Sequence, residues 1–99
     1  MKQLYVDDER ECPKGWDLAR KYEDAIRMLT ETNYDTVSLD HDLGNWMYQD
    51  EKTGMTILTW LEERHHNNGY IPFILIHTGN SAVRRTMEMV ARKLNFGAE

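Results

Sequence analysis

Thr36-Val37-Ser38-Leu39-Asp40-His41-Asp42 is the stretch from which the rest of the chain is read. Four residues of a β-favouring run pass straight into an acidic turn, the pattern of a strand that ends in a polar tip. Upstream, Leu4-Tyr5-Val6 ends in the same way at Asp7-Asp8. Downstream, Ile71-Pro72-Phe73-Ile74-Leu75-Ile76 is apolar throughout and ends at His77-Thr78. An unbroken apolar run suits a strand covered on both faces, with Pro72 at its start, where no ladder donor is lost. Between these runs lie helix-period stripes. The first is Tyr22, Ala25, Ile26 and Leu29, with Glu23 and Asp24 placed to favour the helix dipole. The second is Ile57, Leu58, Trp60 and Leu61, with Thr53 as a cap and Asn67-Asn68-Gly69 as a stop. Val83, Met87, Val90, Ala91 and Leu94 form the third, behind an Asn80 or Ser81 cap. Strands alternating with helices predict an α/β fold with a small parallel sheet of three to four strands and about three helices. The fourth strand would be Trp16-Asp17-Leu18-Ala19, although the Glu9 to Gly15 connection before it is shorter than parallel crossovers normally are.

At 99 residues the chain is expected to be a single domain, residues 1–99. Twelve Lys and Arg against seventeen Asp and Glu give a net charge of −5, and the basic residues are scattered, so nonspecific DNA or RNA binding is not expected. A single cysteine, Cys12, forms no internal disulfide and has no base beside it in sequence, which makes a reducing, cytoplasmic setting the default and a nucleophilic role a poor fit. No apolar run approaches the ~20 residues of a membrane span, and the N-terminus has no signal-like stretch. Trp16, Trp60 and the methionines read as core.

In open parallel sheets ligands bind beyond the carboxyl ends of the strands. Read together, those ends carry Asp7 and Asp8, then Asp40, His41 and Asp42, then His77, Thr78 and Asn80. Carboxylates crowded on one rim repel one another unless they take up protons or a cation, and Mg²⁺ is the hard ion that suits oxygen ligands. His41 and His77, with reference pKa values near ~6.5, suit proton transfer across such a pocket. The alternative is that one of them orders an aspartate or coordinates a transition metal. His65 and His66, in the last turn of a helix, read as structural. The irregular stretch from Leu43 to Lys52 carries Trp46 and Tyr48, which either stack on a nucleobase or cover the sheet.

Val6-Asp7-Asp8-Glu9-Arg10, Ser38-Leu39-Asp40-His41-Asp42-Leu43-Gly44, Thr53-Gly54 and Ile76-His77-Thr78-Gly79-Asn80 resemble, in order and spacing, the cyclic-phosphate processing receiver domain, a divergent relative of the response-regulator receiver. The likeness runs from Leu4 to about Leu94. It implies a receiver-like, flavodoxin-like sheet in which Asp7 and Asp8 form the Mg²⁺-binding pair, Asp40 stands at the phosphoacceptor position and Thr78 contacts the phosphoryl group. His41, Asp42, His77 and Asn80 match positions of the divergent family. Against ordinary receivers, the chain is expected to lack their last strand and helix and the lysine that ends that strand, for which Arg84 or Arg85 is a candidate substitute.

The first functional reading is therefore metal-dependent binding, with hydrolysis as its stronger form, of a cyclic phosphate on a small molecule or RNA end. Asp7, Asp8, Asp40 and Asp42 would hold Mg²⁺, Asp40, His41 and His77 would be catalytic, and Thr78 and Asn80 would orient the phosphate. The second is a non-enzymatic pseudo-receiver that captures a protein partner, or a second copy of itself, along the edge of strand 71–76.

Overall fold

The computed structural model describes residues 2–41 and 53–96. Four strands, β1 (Gln3–Val6), β2 (Asp17–Ala19), β3 (Thr36–Leu39) and β4 (Phe73–Ile76), form one sheet in the order β2-β1-β3-β4. Every neighbouring pair is parallel. The described residues also form three helices: α1 (Tyr22–Glu31), α2 (Gly54–Asn68) and α3 (Ser81–Phe96). Among the described residues none of them is long and apolar enough to cross a membrane.

The register explains where the core lies. Leu4 pairs with Val37 and Val37 with Ile74; one repeat later Val6 pairs with Leu39 and Leu39 with Ile76. Side chains alternate across a strand, so these six residues share one face. All but Ile76, which packs partly buried at its rim, join a single cluster with Ala25 and Leu29 of α1, Ile57, Leu58 and Leu61 of α2, and Met87 and Ala91 of α3.

The opposite face is different, and it corrects the expectation that the last strand would be covered on both sides. Phe73 and Leu75 remain 46% and 43% exposed. Their apolar character reflects a parallel strand whose second face meets no helix among the described residues. Trp16 also lies away from the helix-packed core, edge-on to Tyr5 at 6.1 Å between ring centroids. Met89 is exposed as well, whereas Met87 is buried.

β2 is a true parallel strand despite its short connection. The strands span only three or four residues, so the chain has little distance to retrace and needs no crossover helix. The loop is held instead by polar bonds. Arg20, just past β2, donates from Nη1 to the carbonyls of Asp7 (3.2 Å) and Arg10 (2.8 Å).

Helix ends follow the local signals. Thr53 and Thr56 form a reciprocal capping box on α2, and Gly69 closes it in the left-handed region at φ 80°. On α3 the cap is Asn80, whose Oδ1 accepts from Ala82 N–H.

At the outer edge of β4, Ile74 turns both backbone groups away from β3, and the Asn95 carboxamide from α3 takes both. Ile74 N–H donates to Asn95 Oδ1 (2.8 Å) and Asn95 Nδ2 donates to the Ile74 carbonyl (2.9 Å). A side-chain amide thus stands where a neighbouring strand would pair, and Pro72 just before β4 has no N–H to offer. Both features blunt an edge against strand addition. Asn95→Ala is expected to lower stability by about 1 kcal/mol in urea denaturation and to increase self-association in sedimentation. Unchanged behaviour in both would remove Asn95 from this role.

Candidate functional site

The ladder continues one residue past each strand, which brings the polar tips level. Asp7 N–H donates to Ala19 (3.1 Å), Asp40 N–H to Val6 (2.9 Å) and His77 N–H to Leu39 (3.0 Å). These bonds set Asp7, Asp40 and His77 side by side at the carboxyl edge of the sheet, where open α/β folds place their ligands.

Asp7 is wholly buried. Its Oδ1 accepts the backbone N–H groups of Glu9 (2.8 Å) and Arg10 (2.7 Å), which folds the chain after β1 into a tight turn. Its Oδ2 accepts from Arg10 Nη1 (3.1 Å) and His77 Nε2 (2.9 Å). Burial alone would raise the pKa, but these four donors outweigh it and hold the carboxyl below its ordinary range. Asp8 moves the other way. Burial, with the charges of Glu9, Asp40 and Asp7, raises its pKa.

His77 is engaged on both nitrogens. An ionised carboxylate only accepts, so Nε2 carries the proton shared with Asp7, and in the neutral ring Nδ1 then accepts from the Ser38 hydroxyl at 2.6 Å. The ring lies flat on Tyr5, with centroids 4.4 Å apart and planes 4° apart. Burial lowers its pKa against the opposing pull of Asp7.

A pocket of about 350 Å³ opens at this edge, and its described lining is Asp7, Asp8, Glu9, Arg10, Asp40, Gly79 and Asn80. The structure thus brings together Asp7, Asp8, Asp40 and Asn80 of the expected set. His41, His77 and Thr78 are not part of that lining. His41 lies next to Asp40, whose Oδ1 accepts the His41 N–H at 2.8 Å, and its carbonyl receives Gly54 N–H at 2.9 Å. Thr78 is buried, with its Oγ1 accepting Asn80 N–H at 3.1 Å. Asp42 and the stretch with Trp46 and Tyr48 lie outside the described residues.

Oxygen atoms of Asp7, Asp8 and Asp40 all lie within 4.8 Å of one another. Opposite oxygens around Mg²⁺ are separated by about 4.2 Å and those around Ca²⁺ by about 5 Å, so the spacing of this all-oxygen set is in the range of a hard divalent ion.

The main residue that sequence reasoning missed is Arg10. Its Nη1 reaches Asp7 Oδ2, the His77 carbonyl at 2.9 Å and Asp40 Oδ2 at 4.0 Å. It is the guanidinium of this rim, whereas Arg84 pairs with Glu88 on the exposed side of α3 and Arg85 lines a separate groove there. No spacing rule marks Arg10, because its His77 contact spans 67 positions of sequence. Arg20 and Ser38 were missed for the same reason.

The model of the cyclic-phosphate processing receiver domain matches residues 2–93. The chain belongs to this family. Neither the curated proteins nor the solved structures contain a match to it. Membership in the cyclic-phosphate processing receiver family agrees with the four-stranded parallel sheet and three helices. It makes the chain a receiver-like domain linked to cyclic-phosphate processing. The acidic cluster stands at the carboxyl ends of β1 and β3.

Proposed function

We propose that the protein binds a divalent metal ion, Mg²⁺ by preference, together with a cyclic-phosphate group at the Asp7-Asp8-Asp40 pocket. The observation that carries this reading is the convergence of three carboxylates from two strand ends, in a chain of this family, on one open pocket. Asp7, Asp8 and Asp40 would hold the ion, with Asp42 as a further carboxylate just beyond Asp40 in sequence. A bound Mg²⁺ would supply positive charge to phosphoryl oxygens.

The chain's own groups divide the remaining work. Asn80 lines the pocket and keeps its Nδ2 donors on the group whose oxygen caps α3. His77 fits the role of ordering Asp7 better than that of exchanging protons with a ligand, since Asp7 and Ser38 occupy both its nitrogens. Thr78 shapes the turn that carries Asn80. Binding is therefore the core of the proposal, and hydrolysis is its second readout.

Calorimetric titration with Mg²⁺, with and without a nucleoside cyclic phosphate bridging the ribose hydroxyls, tests it. Each ligand should tighten the other. Asp8→Asn and Asp40→Asn should each weaken the metal on the order of tenfold or more. Metal affinity indifferent to both substitutions would overturn the reading. Partner capture along β4 has the exposed Phe73 and Leu75 in its favour, but the Asn95 bonds to Ile74 oppose strand addition there.

A further inference from the structure

Every acceptor position of Asp7 is already taken. A carboxylate offers about four lone-pair directions, and here two backbone amides hold Oδ1 while Arg10 and His77 hold Oδ2. Any cation that ligates Asp7 must therefore displace one of these donors. The amides belong to the turn itself, which Arg20 clamps through the carbonyls of Asp7 and Arg10. His77 is fixed by Ser38, by its stack on Tyr5 and by its backbone bond to Leu39. The Arg10 side chain, by contrast, is 47% exposed and sits at the end of a long flexible stem. It is the donor that can leave.

Its other face already points to a destination. Arg10 Nη2 lies 3.4 Å from where a Cβ on Gly79 would stand, so the guanidinium rests against the turn between Thr78 and Asn80 on the pocket wall. A planar guanidinium grips phosphate oxygens through paired donors, which a lysine ammonium cannot reproduce.

We propose that Arg10 is an exchangeable counter-ion: it competes with the divalent ion for Asp7 Oδ2 and, once displaced, binds the anionic phosphoryl group beside Gly79 and Asn80. This rests on the metal-and-phosphate reading above and adds the residue that selects an anionic ligand. Free of its carboxylate, the guanidinium serves the ligand only when the metal is in place, so metal and cyclic phosphate bind in a coupled order.

The competition predicts effects of opposite sign, which general damage to the site would not produce. In Arg10→Gln, Mg²⁺ alone should bind about tenfold more tightly at low ionic strength, because a unit positive charge a few ångströms from the ion is gone. At saturating Mg²⁺ the same variant should bind the nucleoside cyclic phosphate at least about tenfold more weakly. Arg10→Lys should leave Mg²⁺ affinity near that of the parent and recover only part of the nucleotide affinity. Both titrations read heat of binding, independent of turnover, with circular dichroism to establish that each variant is folded. Loss of both affinities in Arg10→Gln and Arg10→Lys alike, or no change in either, overturns the inference while parental binding leaves the proposed function standing. A parental protein that takes up no Mg²⁺ overturns the proposed function and this inference with it.

Discussion

Gly54→Ala is expected to destabilise the protein by about 3 kcal/mol or more, because the added methyl meets backbone. A Cβ at Gly54 would collide with the Asp40 carbonyl oxygen and stand 2.9 Å from its carbon. Both are backbone atoms at the end of β3, and Asp40 is pinned there by its N–H bond to Val6. The Met87 methyl, also at 2.9 Å, could swing aside, but the carbonyl cannot. The first turn of α2 would have to lift from the sheet, breaking the 2.9 Å bond from Gly54 N–H to the His41 carbonyl and opening the core at Ile57 and Leu58. Urea denaturation of the purified variant measures the loss. Gly79→Ala is the control: its nearest foreign atom is the end of the Arg10 side chain at 3.4 Å, so it should cost well under half as much. Equal losses for the two would show that the close approach at Asp40 is not what the helix depends on. The same variant should also weaken metal binding, because Asp40 moves with the carbonyl.

Asp7→Asn should cost about 2–3 kcal/mol, near the lower end for breaking a buried ion pair because Arg10 is half exposed and can rehydrate. The amide keeps one acceptor oxygen but sets an NH₂ against donors, whether the two backbone amides or Arg10 and His77. The variant should also change how stability responds to acid. Asp7 has a folded pKa held below its unfolded value, so its contribution is present above about pH 4 and is lost as pH falls through the lowered folded value. His77 is likewise lowered, so its contribution is present above about pH 6.5 and is lost as pH falls from there. These two groups should therefore weaken the parent on acidification, against the opposite contribution of Asp8, whose pKa is raised, and Asp7→Asn should flatten the limb below about pH 4. A variant as acid-sensitive as the parent in that range would assign the limb to other carboxylates.

Much of the architecture was legible from short-range pattern. The runs at Leu4, Thr36 and Phe73 became strands, with the Thr36–Leu39 bounds matching, and the Thr53 cap and Gly69 stop delimit α2. Asp7, Asp8 and Asp40 were placed together because consecutive parallel strands must end on one edge, and that topological rule is independent of side-chain detail. The covered second face of β4 was misread, since an apolar run reports preference for burial without saying whether a helix is there to supply it. Phe73 and Leu75 show that difference.

What the amino-acid order determined by itself is local: where hydrophobic period changes from strand to helix, where caps stop each helix, and that acidic residues follow the strands. What the tertiary structure alone decided is which of those acids are already spoken for. His77 reaches Asp7 across 70 residues and Ser38 across 39, Arg10 reaches the His77 carbonyl across 67, and Asn95 reaches Ile74 across 21. Such contacts leave no period in the sequence, because their energy depends on distances and directions that exist only once the sheet has set its register. Composition can therefore announce a negatively charged rim, but only the packed chain shows that a guanidinium holds its innermost carboxylate.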